Sequence, residues 1–157
     1  VAAPSFIEKY GLLDHPDRLA EVPVGHTFGG DKFSYTPFNG FTRKKEFCRP
    51  QLRQQIEWSS TNLLFESVLA GECASPGMPL FYCIDALRAK KLVPILNGWH
   101  RASQFNYLAC HSSRWNVPYI RTFMNWFAER FAEKEAQYEK EFAELFGEDL
   151  LHELMTS

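Results

Sequence analysis

The sequence predicts a mixed α/β domain, on three observations. Between Trp58 and Trp99, segments of helical and strand character follow one another in the order helix, strand, helix, strand. Upstream of Trp58, short apolar runs bounded by Gly, Pro and Asn read as strands and turns. From Pro118 onward, apolar residues recur at three- and four-residue steps and mark the longest helix of the chain.

In chain order, Pro4 can occupy the first position of a short helix, with Phe6, Ile7 and Tyr10 on one face and Gly11 closing it. Val22 to Phe28 is apolar enough for a strand, after which Gly29-Gly30-Asp31 turns the chain. Lys32 to Phe38 and Phe41 to Phe47 flank Asn39-Gly40, two residues that tolerate positive φ, and together predict a hairpin. Pro37 lacks an N–H and makes that hairpin an edge. Arg49 to Trp58 supplies the next strand.

Ser59-Ser60-Thr61-Asn62 then caps a helix whose apolar face is Leu64, Phe65, Val68 and Leu69, and Gly71 stops it. The residues to Met78 can cross the core as a short strand. Pro79 opens a second helix with the stripe Phe81, Ile84 and Leu87, ending at Lys90-Lys91. Leu92 to Leu96 reads as a strand, with Pro94 implying an edge position and Asn97-Gly98 ending it. Phe105 to His111 alternates as a strand does, and Ser112 to Val117 is a loop. In the helix from Pro118, Ile120, Phe123, Met124, Phe127 and Phe131 form a stripe that should be buried. Beyond Phe131 the chain turns rich in Glu and Lys, while Tyr138, Phe142 and Leu145 continue a thinner stripe. Lys140 and Glu144 stand at i,i+4 spacing, a pairing worth only tenths of a kcal/mol. Gly147 stops this helix, and Leu150, Leu151 and Leu154 predict a short further one.

At 157 residues, 45% hydrophobic and 23% charged, the chain is long enough to bury one domain's core. A formal charge of -2 offers no global attraction to nucleic acid or an acidic membrane. No run of 18 apolar residues occurs and the first residues lack a secretory pattern, so the expected location is the cytoplasm. There is no GxSxG, phosphate loop, dinucleotide fingerprint or HExxH, and the five histidines are scattered. Cys110 and His111 are neighbours, but on a strand their side chains point to opposite faces and cannot pair. The expectation is therefore a protein that is not an enzyme, with no cofactor and no metal. Cys48, Cys73, Cys83 and Cys110 form no CxxC pair. They read either as packed free thiols or, for Cys73 and Cys83, as redox-sensing ones.

The combination Ala70-Gly71, Pro79-Leu80-Phe81, Asp85-Ala86-Leu87, Leu92-Val93-Pro94-Ile95-Leu96 and Trp99 resembles the effector-binding domain of LysR-type transcriptional regulators. So does the opening VAAPSFIEKYG, a phrase that in the family lies midway along the regulator, and the turn of helix at Asp14 to Ala20. It departs from the family pattern at Cys73-Ala74, where the family has glycine-isoleucine, and by one extra residue before Pro79. The resemblance implies a fold like type II periplasmic binding proteins: a mixed sheet and two subdomains, of which the first is incomplete here. Residues 1–104 would be the second subdomain, 105–131 a returning strand and helix of the first, and 132–157 a charged helical tail on which the family is silent.

Also implied is a function, sensing a small anionic effector in the cleft between subdomains to control transcription. The partners would be that effector, DNA only through an absent N-terminal helix-turn-helix, a homodimer or homotetramer and RNA polymerase, with no membrane. Ser59, Ser60 and Thr61, and Pro79, Leu80 and Phe81, would line the cleft. Read from the residues alone, the first three also make a plain helix cap and Phe81 also makes a core contact. A solute-binding transport protein of the same fold is the alternative.

Overall fold

The computed structural model describes residues 1–27, 40–101 and 107–147. Its elements are α1 (Pro4–Tyr10), a 3-10 turn (Pro16–Glu21), β1 (Pro23–Thr27), β2 (Phe41–Arg43), β3 (Glu46–Cys48), β4 (Gln54–Trp58), α2 (Thr61–Leu69), α3 (Leu80–Arg88), a 3-10 turn (Ser112–Arg114) and α4 (Pro118–Phe146). Among these residues no helix is long and apolar enough to cross a membrane.

β1 is the centre of the sheet. On one side it runs parallel to β4, in register from Pro23 opposite Gln54 to Thr27 opposite Trp58. On the other, Gly25 N–H donates to the Ala74 carbonyl at 2.8 Å and Ala74 N–H donates to that of Pro23 at 3.0 Å. The layer continues outward: Ser75 N–H donates to the Val1 carbonyl at 2.9 Å, and Ala2 and Val93 exchange bonds of 3.1 and 2.8 Å. Five segments thus lie side by side, only two of them longer than a bridge.

α2 connects β4 to the segment at Ala74 across β1, and Gly25 is what lets it settle there. A β-carbon at Gly25 would stand 2.6 Å from both Cys73 Sγ and Leu64 Cδ1, well inside contact distance. Leu64 and Val68 of α2 join Phe6 of α1, Leu19, Val24, Phe41, Ile84 and Leu87 in one buried cluster with Leu92 and Trp99. Each such side chain contributes about 1.5–3 kcal/mol by leaving water.

α4 is a single helix of 29 residues, roughly 44 Å long at 1.5 Å per residue, and it has two unlike halves. Its C-terminal half docks: Phe142 is buried, Tyr138 and Phe146 pack on the core, and Glu141 binds the Arg88 guanidinium of α3. Arg88 also holds Asp85 at 2.6 Å. Its N-terminal half leaves Tyr119, Phe123, Trp126 and Phe127 exposed, with Phe127 stacked on Phe131 at 6.1 Å and Phe131 edge-on to Phe81 at 6.4 Å.

Several sequence expectations are corrected. The chain turns at Lys44-Lys45, not after a single strand to Phe47: Thr42 pairs with Phe47 and Arg43 with Glu46, and Lys44 takes φ of 55°. The charged run Arg43 to Glu46 has nothing to bury, so it becomes the turn, and Arg43 and Glu46 close it with an ion pair of 3.1 Å. The expected partner strand, Lys32 to Phe38, and Asn39 lie outside the described residues. The segment before Met78 shrinks to the bridge at Ala74, and Leu92 to Leu96 shrinks to the bridge at Val93. Pro94 has no N–H to extend that ladder, and Leu96 and Asn97 turn the chain at positive φ.

The Phe105 to His111 strand is not found at Tyr107 to His111, and its first two residues fall outside the described ones. No described segment stands beside it to take its hydrogen bonds, and Tyr107 is 85% exposed. Of the apolar stripe of α4, expected to be buried, Phe123 and Phe127 are exposed and Ile120, Met124 and Phe131 are half-buried among the described residues. The charged stretch after Phe131, expected to be helical, continues α4 to Phe146. The short helix expected after Gly147 lies outside the described residues.

Two outcomes follow. Gly25→Ala should destabilise the chain by about 1–3 kcal/mol in chemical denaturation, and adding Leu64→Ala should recover less than additively what each change costs alone. The exposed aromatic run of α4 should make the isolated chain associate with itself. Sedimentation with hydrophobic-dye binding checks this, and Phe123→Ser with Phe127→Ser should reduce both signals.

Candidate functional site

Ligands of open α/β sheets bind beyond the carboxyl ends of the strands, where connecting turns and helix starts converge. Here β4 ends at Trp58 beside the end of β1 at Thr27, and α2 starts three residues later. The parallel segment through Ala74 ends at the same edge and leads through Gly77 to α3. Both helices therefore present their N-termini, with unpaired N–H groups and partial positive charge, toward one edge of the sheet.

At that edge Ser60 is the N-cap of α2, its Oγ accepting from Asn62 N–H at 3.2 Å. The plain capping role is thus real, and it leaves the Ser60 hydroxyl proton free to donate elsewhere. Ser59 is exposed and Thr61 half-buried in the first turn. Pro79 is the N-cap of α3 without a side-chain bond, Leu80 is half-buried, and Phe81 is 45% exposed with its ring against Tyr82 and Phe131. Phe81 is therefore a surface contact to α4 rather than a core residue.

Three further groups at this edge escaped the sequence reading. The Trp58 indole nitrogen and the Ser75 hydroxyl are buried and have no hydrogen-bond partner. Alternation along the parallel register puts Trp58 on the side of Ile56 and Gly25, and Ser75 on the side of Cys73, which is the side α2 covers. A buried donor without a partner costs about 1–3 kcal/mol, a penalty that a bound acceptor would remove. The Arg101 guanidinium lies against the α-carbon of Gly77, and burial lowers its pKa. Tryptophan at the end of a strand reads as packing, and Arg101 is 24 residues from Gly77 in sequence, so only the folded chain reveals them.

The two candidate redox thiols are buried. Burial pushes both Cys73 and Cys83 up, with the Ser67 hydrogen bond partly opposing this at Cys73 and the N-terminal charge at Cys83. A sensor thiol needs the reverse, a stabilised thiolate within reach of oxidant. Cys48 is pushed up to about 11 by burial first, then by its bond to Asp17. Its Sγ–H donates to Asp17 Oδ1 at 3.2 Å, and His15 Nδ1 stands 3.5 Å from Asp17 Oδ2. His15, Asp17 and Cys48 are the one group of described residues whose donor atoms gather as metal ligands do, all within 4.8 Å of one another.

These environments set a labelling order. Under mild alkylation of the native chain at neutral pH, the exposed Cys110 should react first and Cys73 and Cys83 last, read by mass spectrometry. Because the folded state holds the three raised thiols protonated, their stabilisation is complete below the unfolded thiol pKa of about 8.5 and is lost as pH rises through the folded values. Stability should accordingly fall on the alkaline side, and less so in a Cys73→Ala, Cys83→Ala variant.

No family model matches the chain. Over 128 residues, 82% of its length, it is 26% identical to a protein of Pseudomonas aeruginosa (strain UCBPP-PA14) named HTH-type transcriptional repressor. The chain spans 40% of the length of that curated relative. It is thus similar, over most of its own residues, to part of a transcription regulator.

Proposed function

We propose that this chain is the effector-sensing part of a helix-turn-helix regulator of LysR type, folded like a type II periplasmic binding protein. It binds a small anionic molecule at the carboxyl edge of the parallel strands. The observation that carries this reading is the convergence there of the α2 N-terminus, two unsatisfied buried donors at Trp58 and Ser75, and the Arg101 guanidinium. Each offers N–H or O–H donors that an anion can accept from. The similarity to part of a named repressor supports regulation as the purpose of such binding.

The helix start favours an anion by about 0.3–1 kcal/mol when exposed and up to about 2 when partly buried. Hydrogen bonds from Ser60, Thr61 and the orphan donors add about 1.5–3 kcal/mol each to a charged acceptor. Pro79, Leu80 and Phe81 supply an apolar wall that selects the ligand's shape. Control of transcription then requires the ligand to favour one of two arrangements of a homodimer or homotetramer, with DNA read by a separate helix-turn-helix domain. The role is one of binding, without catalysis.

A thermal-shift panel of small carboxylates, followed by calorimetry on the best binder, tests this. Thr61→Ala should weaken that binder about fivefold or more, and Trp58→Phe similarly, while Trp58→Phe leaves the unliganded melting temperature unchanged or higher because it removes an unsatisfied donor. If no anion shifts the melting temperature, or both variants bind as the parent does, the site lies elsewhere.

A further inference from the structure

We propose that His15, Asp17 and Cys48 form a binding site for a divalent ion of the zinc class, away from the carboxyl edge and independent of effector binding. The three donors are imidazole nitrogen, carboxylate oxygen and sulfur, a set that suits a borderline-soft ion and not magnesium or calcium. Their spacing matches. Bonds of about 2.0–2.3 Å in tetrahedral array place ligand atoms roughly 3.3–3.8 Å apart. Here sulfur lies 3.2 Å from Asp17 Oδ1, the imidazole nitrogen 3.5 Å from Asp17 Oδ2, and one donor atom of each residue lies within 4.8 Å of the others, so small side-chain rotations would draw them onto one ion.

Two of the donors, His15 and Cys48, are also held by packing that does not involve the cluster. His15 sits between buried Leu13 and Pro16, with its ring edge-on to Trp99 at 4.9 Å. Its Nδ1 accepts the Asp17 N–H at 3.3 Å, a bond that uses the one lone pair of that nitrogen and puts the ring proton on Nε2, so an ion would take the place of this bond. Cys48 is fixed by the β2–β3 ladder opposite buried Phe41, and that hairpin is tied to the body where Thr42 and His100 exchange bonds of 2.8 and 3.0 Å. The nearby cations are already paired, Arg18 with Glu21 at 2.8 Å and Arg43 with Glu46 at 3.1 Å, so they do not repel an incoming ion from close range. The partly exposed rim leaves a fourth position for water.

On binding, the Cys48 Sγ–H bond breaks and its proton passes to solvent, the Asp17 N–H releases His15 Nδ1, and sulfur, His15 Nδ1 and Asp17 carboxylate donate to the ion. No oxidation state changes. The ion would clip β3 to the turn before Leu19, joining parts of the chain that are 31 residues apart between Asp17 and Cys48.

Cobalt(II) titration of the untagged, metal-stripped chain tests the site. A thiolate-to-cobalt charge-transfer band should grow to a single equivalent and be displaced by zinc. Cys48→Ser should abolish the band, Asp17→Asn should weaken cobalt affinity about tenfold or more, and Cys110→Ser should change neither, with circular dichroism checking that each variant is folded. X-ray absorption of the zinc-loaded parent gives a reading free of mutations, with one sulfur and at least one imidazole in the shell. Absence of the band, its survival in Cys48→Ser, unchanged affinity in Asp17→Asn, or a shell without sulfur would overturn the site.

Discussion

The structure depends on the pairing of β1 on both edges, and that pairing depends on the absence of a side chain at Gly25. β1 is flanked by β4 on one side and the Ala74 bridge on the other, so its hydrogen bonds are taken up in both directions. α2 must then cross directly over it to join its two neighbours. The helix comes so near that Leu64 and the Cys73 thiol occupy the volume a β-carbon would need. Every other element is placed relative to this contact: α1 beside the outer bridge, α3 after the segment that leaves it, and the hairpin through Thr42 and His100.

The same topology assembles the candidate ligand edge without special residues. Parallel strands with helical crossovers send every helix start to the carboxyl side, so positive partial charge accumulates there as a consequence of connectivity. Among the described residues three side chains keep buried donors unpaired, Trp58, Ser75 and Trp99, and the first two of them stand at this edge. A buried unsatisfied donor lowers stability, and its persistence at a ligand edge has a physical rationale only if something else accepts the bond.

α4 shows how one regular helix can hold two environments. Its C-terminal half has a neighbour in α3, and there Phe142 is buried and Glu141 binds Arg88. Its N-terminal half has the more hydrophobic stripe yet remains exposed, with aromatic rings packing along the helix on one another. Backbone hydrogen bonds within the helix make it indifferent to this contrast. The segment from Tyr107 to His111 has no helical ladder of its own, and among the described residues it pairs with no strand and is irregular.

Local chemistry was legible in the sequence where it closes on itself. Pro4 to Gly11, the Ser60 cap with its apolar stripe, the Pro79 start and the Pro118 helix depend on neighbours within one turn, and their residues specify them directly. Strand extent was not, because a strand exists only where another segment takes its bonds. Thus Leu92 to Leu96 and the run to Met78, both strand-like in composition, are single bridges. Site composition divides in the same way. Ser59, Ser60 and Thr61 announce a helix start, but Trp58, Ser75 and Arg101 acquire meaning only when the fold leaves donors unpaired or sets a guanidinium against Gly77. His15, Asp17 and Cys48 show no metal spacing along the chain, since their proximity arises from a hairpin folding back on a turn. The sequence by itself determined which segments are helical and which face of each is apolar. Tertiary structure alone decided which strands pair and which distant polar atoms meet, because both depend on contacts between residues far apart in the chain.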